Sequence, residues 1–194
     1  MKLFSKIGVL LALVFLSVQG NAQKIKTTSG DLSFLKNETT INVEFIYDGM
    51  SVGKFATEKE YIKYKTDEYN KKEPGRGDSW AKSWVSDRAS RYEPKFIQLF
   101  EESSGMTVKP DAKYTLIFKT TSTEPGYNIA ISRKNAEIDA EVWIVETANK
   151  KKKLATLSVS NAPGKVFMGN DYDTGARITE SYAISGKKLG KYIK

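Results

Sequence analysis

The apolar positions along this chain change period several times, and each change predicts an element. From Thr40 to Asp48, Ile41, Val43, Phe45 and Tyr47 alternate with Asn42, Glu44 and Asp48, the period-two pattern of a half-buried strand, with Ile46 left on the outer face. Thr57-Glu58-Lys59-Glu60 has the form of a capping box and predicts a helix to about Asn70, whose apolar content is Tyr61, Ile62, Tyr64 and Tyr69. Lys71 to Asp78 is rich in breakers and predicts an exposed loop. Trp80, Trp84, Arg88 and Tyr92 then recur every fourth residue. With Ala81, Val85, Ala89, Phe96, Leu99 and Phe100 they form the stripe of a main helix. Asp78 or Ser79 should cap it, Pro94 should kink or restart it, and Ser103-Ser104-Gly105 should end it.

Period two returns at Lys113 to Thr121, with Tyr114, Leu116 and Phe118 on one face, and Tyr127 to Ser132 reads as a short edge strand. Ala136 to Asn161 predicts a long hairpin around a lysine turn. Ala140, Val142 and Ile144 must share a face with Ala155, Leu157 and Val159, because directly opposed residues point to the same side. Pairing Val142 with Val159 and Ile144 with Leu157 satisfies this and leaves a loop from Asn149 to Lys152. It sets Trp143 opposite Ser158 and Val145 opposite Thr156. Ala162-Pro163-Gly164 should break the second strand. Gly175 to Ile193 predicts a closing helix, capped from within Asp171 to Thr174. Its Ile178, Tyr182, Leu189 and Ile193 are apolar, and Ala183, Gly186 and Gly190 form a ridge of small residues. The element order gives an α+β fold: a mixed, mostly antiparallel sheet of about four to five strands with helices on one face. The first two strands, joined by a helical crossover, should pair in parallel.

The amino terminus follows another rule. Lys2 and Lys6 precede the apolar run Ile7 to Val18, and Gly20 and Ala22 supply small residues at the −3 and −1 sites of a secretory signal peptide, residues 1–22. Residues 23–38 read as a linker with an apolar knot at Leu32, Phe34 and Leu35, and 39–194 as a single domain. Loss of Lys2 and Lys6 with the signal takes the formal charge from +8 to +6. A basic exported protein suits an anionic polymer or another envelope protein as partner. Cysteine and histidine are both absent from the 194 residues. Disulfides, thiol nucleophiles, histidine acid–base catalysis and zinc sites of His and Cys are therefore closed to it. No cofactor is expected, and the oligomeric state is not legible. Past the signal, no stretch is apolar enough to cross a membrane.

Ala136-Glu137-Ile138-Asp139-Ala140-Glu141-Val142-Trp143-Ile144-Val145, then Pro163-Gly164, Asp171-Tyr172-Asp173-Thr174-Gly175, Arg177-Ile178, Glu180-Ser181-Tyr182 and Gly186-Lys187-Lys188-Leu189-Gly190 carry a resemblance. Over roughly Ala112 to Lys194 the chain resembles small exported α+β proteins of Gram-negative envelopes that lack an assigned function. More loosely, its layout is similar to periplasmic and outer-membrane accessory domains such as the amino-terminal domain of the Tol system's propeller protein. The resemblance implies a non-catalytic interaction module of the periplasm or extracellular space.

The candidate binding residues lie on the hairpin and its neighbours. Trp143 and Val145 point away from the core face of their strand, as do Ile46 and Ile117 on theirs, so the four could form an apolar stripe on an open sheet. A second possibility is that Leu32, Phe34 and Leu35 fold over it. Lys150, Lys151 and Lys152, with Lys153, form the densest charge run. They suit either an anionic polymer or a solvated tip that discourages edge aggregation. Nucleic acid is a poor fit for an exported protein whose same hairpin carries Glu137, Asp139, Glu141 and Glu146.

Arg76-Gly77-Asp78 spells an integrin-type adhesion tripeptide in a predicted loop, although Asp78 also suits a helix cap. Asp173-Thr174-Gly175 matches the aspartic-protease string but sits where a cap is needed, and a calcium loop begun at Asp171 fails because Tyr182 stands at the twelfth position. Ser79–Lys82 and Ser185–Lys188 have the S-x-x-K form without its companion motifs. The leading expectation is a non-catalytic binding module. The alternative is a carboxylate-dependent hydrolase of cell-wall or saccharide material.

Overall fold

A computed structural model describes residues 23–129, 132–165 and 173–194. The expected signal peptide, and Asp171 of the calcium-loop comparison, lie outside these residues.

In chain order the strands are β1 (Lys24–Gly30), β2 (Thr40–Ile46), β3 (Ser51–Val52), β4 (Thr107–Val108), β5 (Tyr114–Glu124), β6 (Tyr127–Ile129), β7 (Ser132–Lys134), β8 (Ala136–Glu146) and β9 (Asn149–Gly164). β1-β9-β8-β5-β2-β4 is the spatial order of the main sheet, and β3 follows β2 along the same side of β5. The fold is α+β with a mixed sheet. β2 and β5 are parallel across a helical crossover, while β5, β8, β9 and β1 run antiparallel in turn.

Among the described residues this sheet has seven strands, more than the pattern predicted. Two of the extra strands, β3 and β4, are two residues long and too short to show a period. The third is β1, inside the segment expected to be a linker. Its single large apolar residue is Ile25, because it is an outer strand with only one neighbour, β9. β6 and β7 form a separate small hairpin where one edge strand was expected.

Helix α1 (Glu58–Lys72) starts from the full capping box at Thr57 and Glu60. α2 (Arg76–Asp87), a π turn (Arg88–Tyr92) and α3 (Glu93–Ser104) make one helical run, which Gly105 ends in a left-handed conformation at φ 74°. Pro94 falls in the first turn of α3, where a missing N–H costs little. The cap of α2 differs from expectation: Gly75, at φ 82°, occupies that position, and Asp78 sits inside the first turn. α4 (Thr174–Ile193) runs without interruption through Gly186 and Gly190.

The core lies between the helices and the sheet face that carries Leu116, Phe118, Ile138, Ala140, Val142, Ile144, Ala155, Leu157 and Val159. Leu35 joins it, and Phe34 packs on Tyr114 with ring centroids 4.9 Å apart, so the apolar knot closes the end of the core. The small residues of α4 have a visible use. A side chain at Gly186 would collide with the carbonyl of Phe96, and one at Gly190 would crowd Phe100 and Ser104. This closeness lets Tyr182 stack on Tyr92, with centroids 5.1 Å apart and planes 4° apart. Among the described residues, no helix is long and apolar enough to cross a membrane.

The hairpin keeps the expected face but not the expected register. Val142 faces Leu157 and Ile144 faces Ala155, a shift of two residues, while Ala140 faces Val159. Trp143 accordingly faces Thr156 rather than Ser158, and Val145 faces Lys153 rather than Thr156. Glu146 pairs with Asn149, so the turn is only Thr147-Ala148. The next partner is Lys153 on Val145, which leaves Lys150 to Lys152 as a wide bulge. A shift of two preserves the side of every residue, and so the apolar pattern cannot oppose it. Nor does β9 stop at Ala162: after Asn161, at φ 56°, it continues to Gly164 opposite Ala136. Among the described residues β1 has ended before Pro163, so no partner strand on that side needs its missing N–H.

Candidate functional site

Side chains opposite the helices fall into transverse rows set by the register. One row holds Lys26, Ser158, Glu141, Lys119 and Ile46, and the next holds Thr156, Trp143, Ile117 and Glu44. A third holds Lys153, Val145, Thr115 and Asn42. The four apolar candidates are thus on one face, as the period predicted. They do not form an open stripe. Ile117 is 6% exposed and Val145 fully buried, while Trp143 and Ile46 are half-buried.

The lysine bulge supplies part of the cover. Lys150 on β9 reaches Glu44 on β2 at 2.5 Å. Those strands are three spacings apart, about 14 Å. One lysine side chain does not span that distance, so the bulged backbone leans over the face above Val145. Lys153 lies on the indole of Trp143, its Nζ 3.6 Å from the ring centroid, and also approaches Glu141 at 3.5 Å. Lys119 flanks the same ring at 5.8 Å. Trp143 Nε1 is buried without a hydrogen-bond partner among the described residues. An unmet buried donor of this kind costs about 1–3 kcal/mol. Leu32, Phe34 and Leu35 do not cover this face, because they belong to the core on the other side.

Lys24, Lys26, Lys151 and Lys152, along β1 and the bulge, are exposed and take part in no ion pair among the described residues. Lys24 and Lys26 alternate with Ile25 and Thr27 on β1, but with one large apolar residue that segment read as a linker, and its place beside the hairpin was not legible. Thr156, Ser158 and Ser160 line β9 between the two groups of lysines, with side-chain hydroxyls that make no hydrogen bond within the described residues. At the far end of the face Asp139 accepts from Asn161 N at 2.8 Å. Burial, then the charge of Asp139, holds the Glu137 carboxyl above its ordinary range.

Arg76, Gly77 and Asp78 are not a loop. They form the first turn of α2, with Gly77 pressed on the backbone of Thr66. Asn70 clamps the turn, accepting from Gly77 N at 2.7 Å and donating to Asp78 at 3.1 Å. Asp173 is the cap of α4, accepting from Gly175 N and Ala176 N at 2.8 and 3.3 Å. It also meets Arg91 at 2.9 Å. Burial raises its proton affinity, but Arg91 and the two cap N–H groups outweigh that and hold the carboxyl below its ordinary range. Asp87 shares Arg91, yet burial dominates there and pushes it up. Ser79 donates to Gly75 O and Ser185 to Ser181 O, so neither serine is bonded to its S-x-x-K lysine. Among the described residues no group of three acidic side chains is placed to hold a metal ion.

Two polar groups, the half-buried Glu58 and the buried Arg177, escaped the sequence. Glu58 accepts from Trp84 Nε1 at 2.6 Å and pairs with Arg88, which lies over Tyr47 at 4.3 Å. Arg177 is 2% exposed and donates to the carbonyls of Pro125 and Gly126, fixing the turn before β6. Long sequence separations hide both. The spacing of Trp84 and Arg88 gave only their shared helix face.

No protein-family model matches the chain, and no curated protein matches it. Solved structures similar to the chain include the PelC dodecamer of Paraburkholderia phytofirmans and a single-substitution variant of it. Each is 12% identical, covering 89% of this chain and 97% of its own, with TM-scores of 0.43 and 0.42. A likeness at this level carries no argument about what the chain does.

Proposed function

We propose that this protein is an exported, non-catalytic component of the bacterial envelope that binds an anionic envelope polymer through the sheet face opposite its helices. One observation carries the reading: Lys24, Lys26, Lys151 and Lys152, exposed and without ion pairs among the described residues, border the same face as Trp143. A protein partner fits this face less well. The centre of a protein interface is depleted in charge and rich in apolar contacts. Here Ile117 and Val145 are already covered, and around the half-buried Trp143 and Ile46 the remaining surface is lysine, glutamate and hydroxyl. The basic balance of the chain agrees with an anionic partner.

The test has two parts. Amino-terminal sequencing of the protein recovered from the envelope should begin at Gln23. The recovered protein should co-sediment with native envelopes, and the double variant Lys151→Glu and Lys152→Glu should lose most of that association at physiological salt. Equal co-sedimentation of a folded double variant would remove the open face from consideration.

A further inference from the structure

We infer that the polymer is an acidic polysaccharide, and that one of its sugar rings lies on Trp143 in the place Lys153 occupies in the free protein. The inference rests on the binding-face reading above and goes further by naming the ligand and its seat.

Three features of the face converge on sugar rather than on bare charge. The first is the track itself. β9 contributes the free hydroxyls of Thr156, Ser158 and Ser160, Lys26 and Lys24 stand opposite the latter two on β1, and the bulged lysines close one end. Hydroxyls in a row match the donors and acceptors of a glycan, and the lysines on the β1 side and at the bulged end match carboxylates carried at intervals along it, while Glu141 stands opposite Ser158 on β8. A polyanion without hydroxyls or rings would use only the lysines.

The second feature is Trp143, opposite Thr156 at the edge of this track. A flat indole offers an apolar surface with one polar edge. The C–H face of a pyranose is apolar and of similar size, with hydroxyls around its rim. In the free protein the ring is occupied by an ammonium, since Lys153 Nζ sits 3.6 Å from its centroid.

The third feature is how lightly that ammonium is held. Its other partner, Glu141, is 3.5 Å away, and both side chains are well exposed, at 44% and 40%. Exposed pairs of this kind contribute little. A ligand carboxylate can draw Lys153 off the ring without breaking a buried contact, and the sugar that carries the carboxylate then takes the vacated surface. Trp143 Nε1 is a buried donor with no hydrogen-bond partner among the described residues. Lys119, 5.8 Å from the ring on the other strand, stays beside the bound sugar.

The purified exported protein is titrated with polygalacturonate, with long-chain polyphosphate and with neutral dextran, following binding by calorimetry and tryptophan emission. The expected result is binding of polygalacturonate with a change in emission that is lost in Trp143→Phe. Trp143→Ala should weaken that binding by about tenfold, and Trp143→Phe, which keeps a ring, by only about twofold to threefold. Polyphosphate should bind more weakly without the emission change, and dextran should not bind. Near-ultraviolet circular dichroism establishes that each variant is folded. Polyphosphate binding as tightly as polygalacturonate, with a folded Trp143→Ala unaffected, would overturn the sugar seat. Failure of polygalacturonate to bind while envelope co-sedimentation persists would overturn it too, and would leave the envelope-binding reading standing.

Discussion

Gly186 shows how one residue type can act against its own propensity. Glycine inside a helix costs about 1 kcal/mol relative to alanine, and α4 carries several. At Gly186 the cost is offset by distance, because any side chain would meet the carbonyl of Phe96 on α3. Gly186→Ala should therefore lower stability by about 2 kcal/mol despite its better propensity, since forced overpacking against rigid backbone costs about 1–3 kcal/mol or more. Urea denaturation reads this directly, and a rise in stability would mean that α3 and α4 do not touch there. The glycine ridge was legible from Ala183, Gly186 and Gly190. Its partner on α3 was not, because nothing local says which helix comes close.

At the scale of the element, the cap of helix α4 has two roles. Asp173 caps it and also pairs with Arg91, and two substitutions separate these roles. Asparagine caps nearly as well as aspartate but carries no charge. Asp173→Asn should keep the helix and lose the ion pair. Asp173→Ala should also lose the cap, for about 1 kcal/mol. The pH dependence has a fixed sign. The folded carboxyl is held below its ordinary value of 3.8, so its stabilisation is present above that value and is lost as pH falls through the folded pKa. Thermal melts from pH 6 down to pH 2 should show a shallower acid decline in Asp173→Asn than in the parent. Parallel curves would show that Arg91 does not hold this carboxylate in solution. The cap was readable from the sequence, whereas Arg91 lies on another helical run and was not.

At the scale of the whole molecule, the outer strand β1 decides where the sheet ends. It pairs with β9 from Lys24 to Gly30, and α4 secures it from the other side. Tyr192 Oη accepts from Thr27 N at 3.1 Å, and Lys188 donates to Gln23 O at 3.2 Å. An edge whose free amide is taken up by a helix side chain is poorly suited to accept another strand. Deleting residues 24–30 should uncover β9 as a long edge, lower stability by more than about 2 kcal/mol and promote association. Size-exclusion chromatography with a thermal melt reads both effects, and a monomeric deletion variant of parental stability would show β1 to be dispensable. The same deletion removes Lys24 and Lys26 from the candidate face, so this strand serves the edge and the proposed binding track together.

Local chemistry determined what needed only neighbours in sequence. Period two placed Trp143, Val145, Ile46 and Ile117 on the side away from Val142 and Phe118, and the capping box at Thr57 started α1 where it stands. The crossover length made β2 and β5 parallel. Tertiary structure decided the rest. Register came from a two-residue turn and a bulge, because a shift of two leaves every side chain on its own face. Burial of Val145 and Ile117 belongs to the assembled sheet, in which Lys150 of that bulge reaches Glu44, 106 residues earlier in the chain. β1 became a strand because β9 offered it an edge, which its own lysines and threonines do not announce. A pattern of apolar residues says which side of a strand is wet. Only the assembled sheet says what lies on top of it.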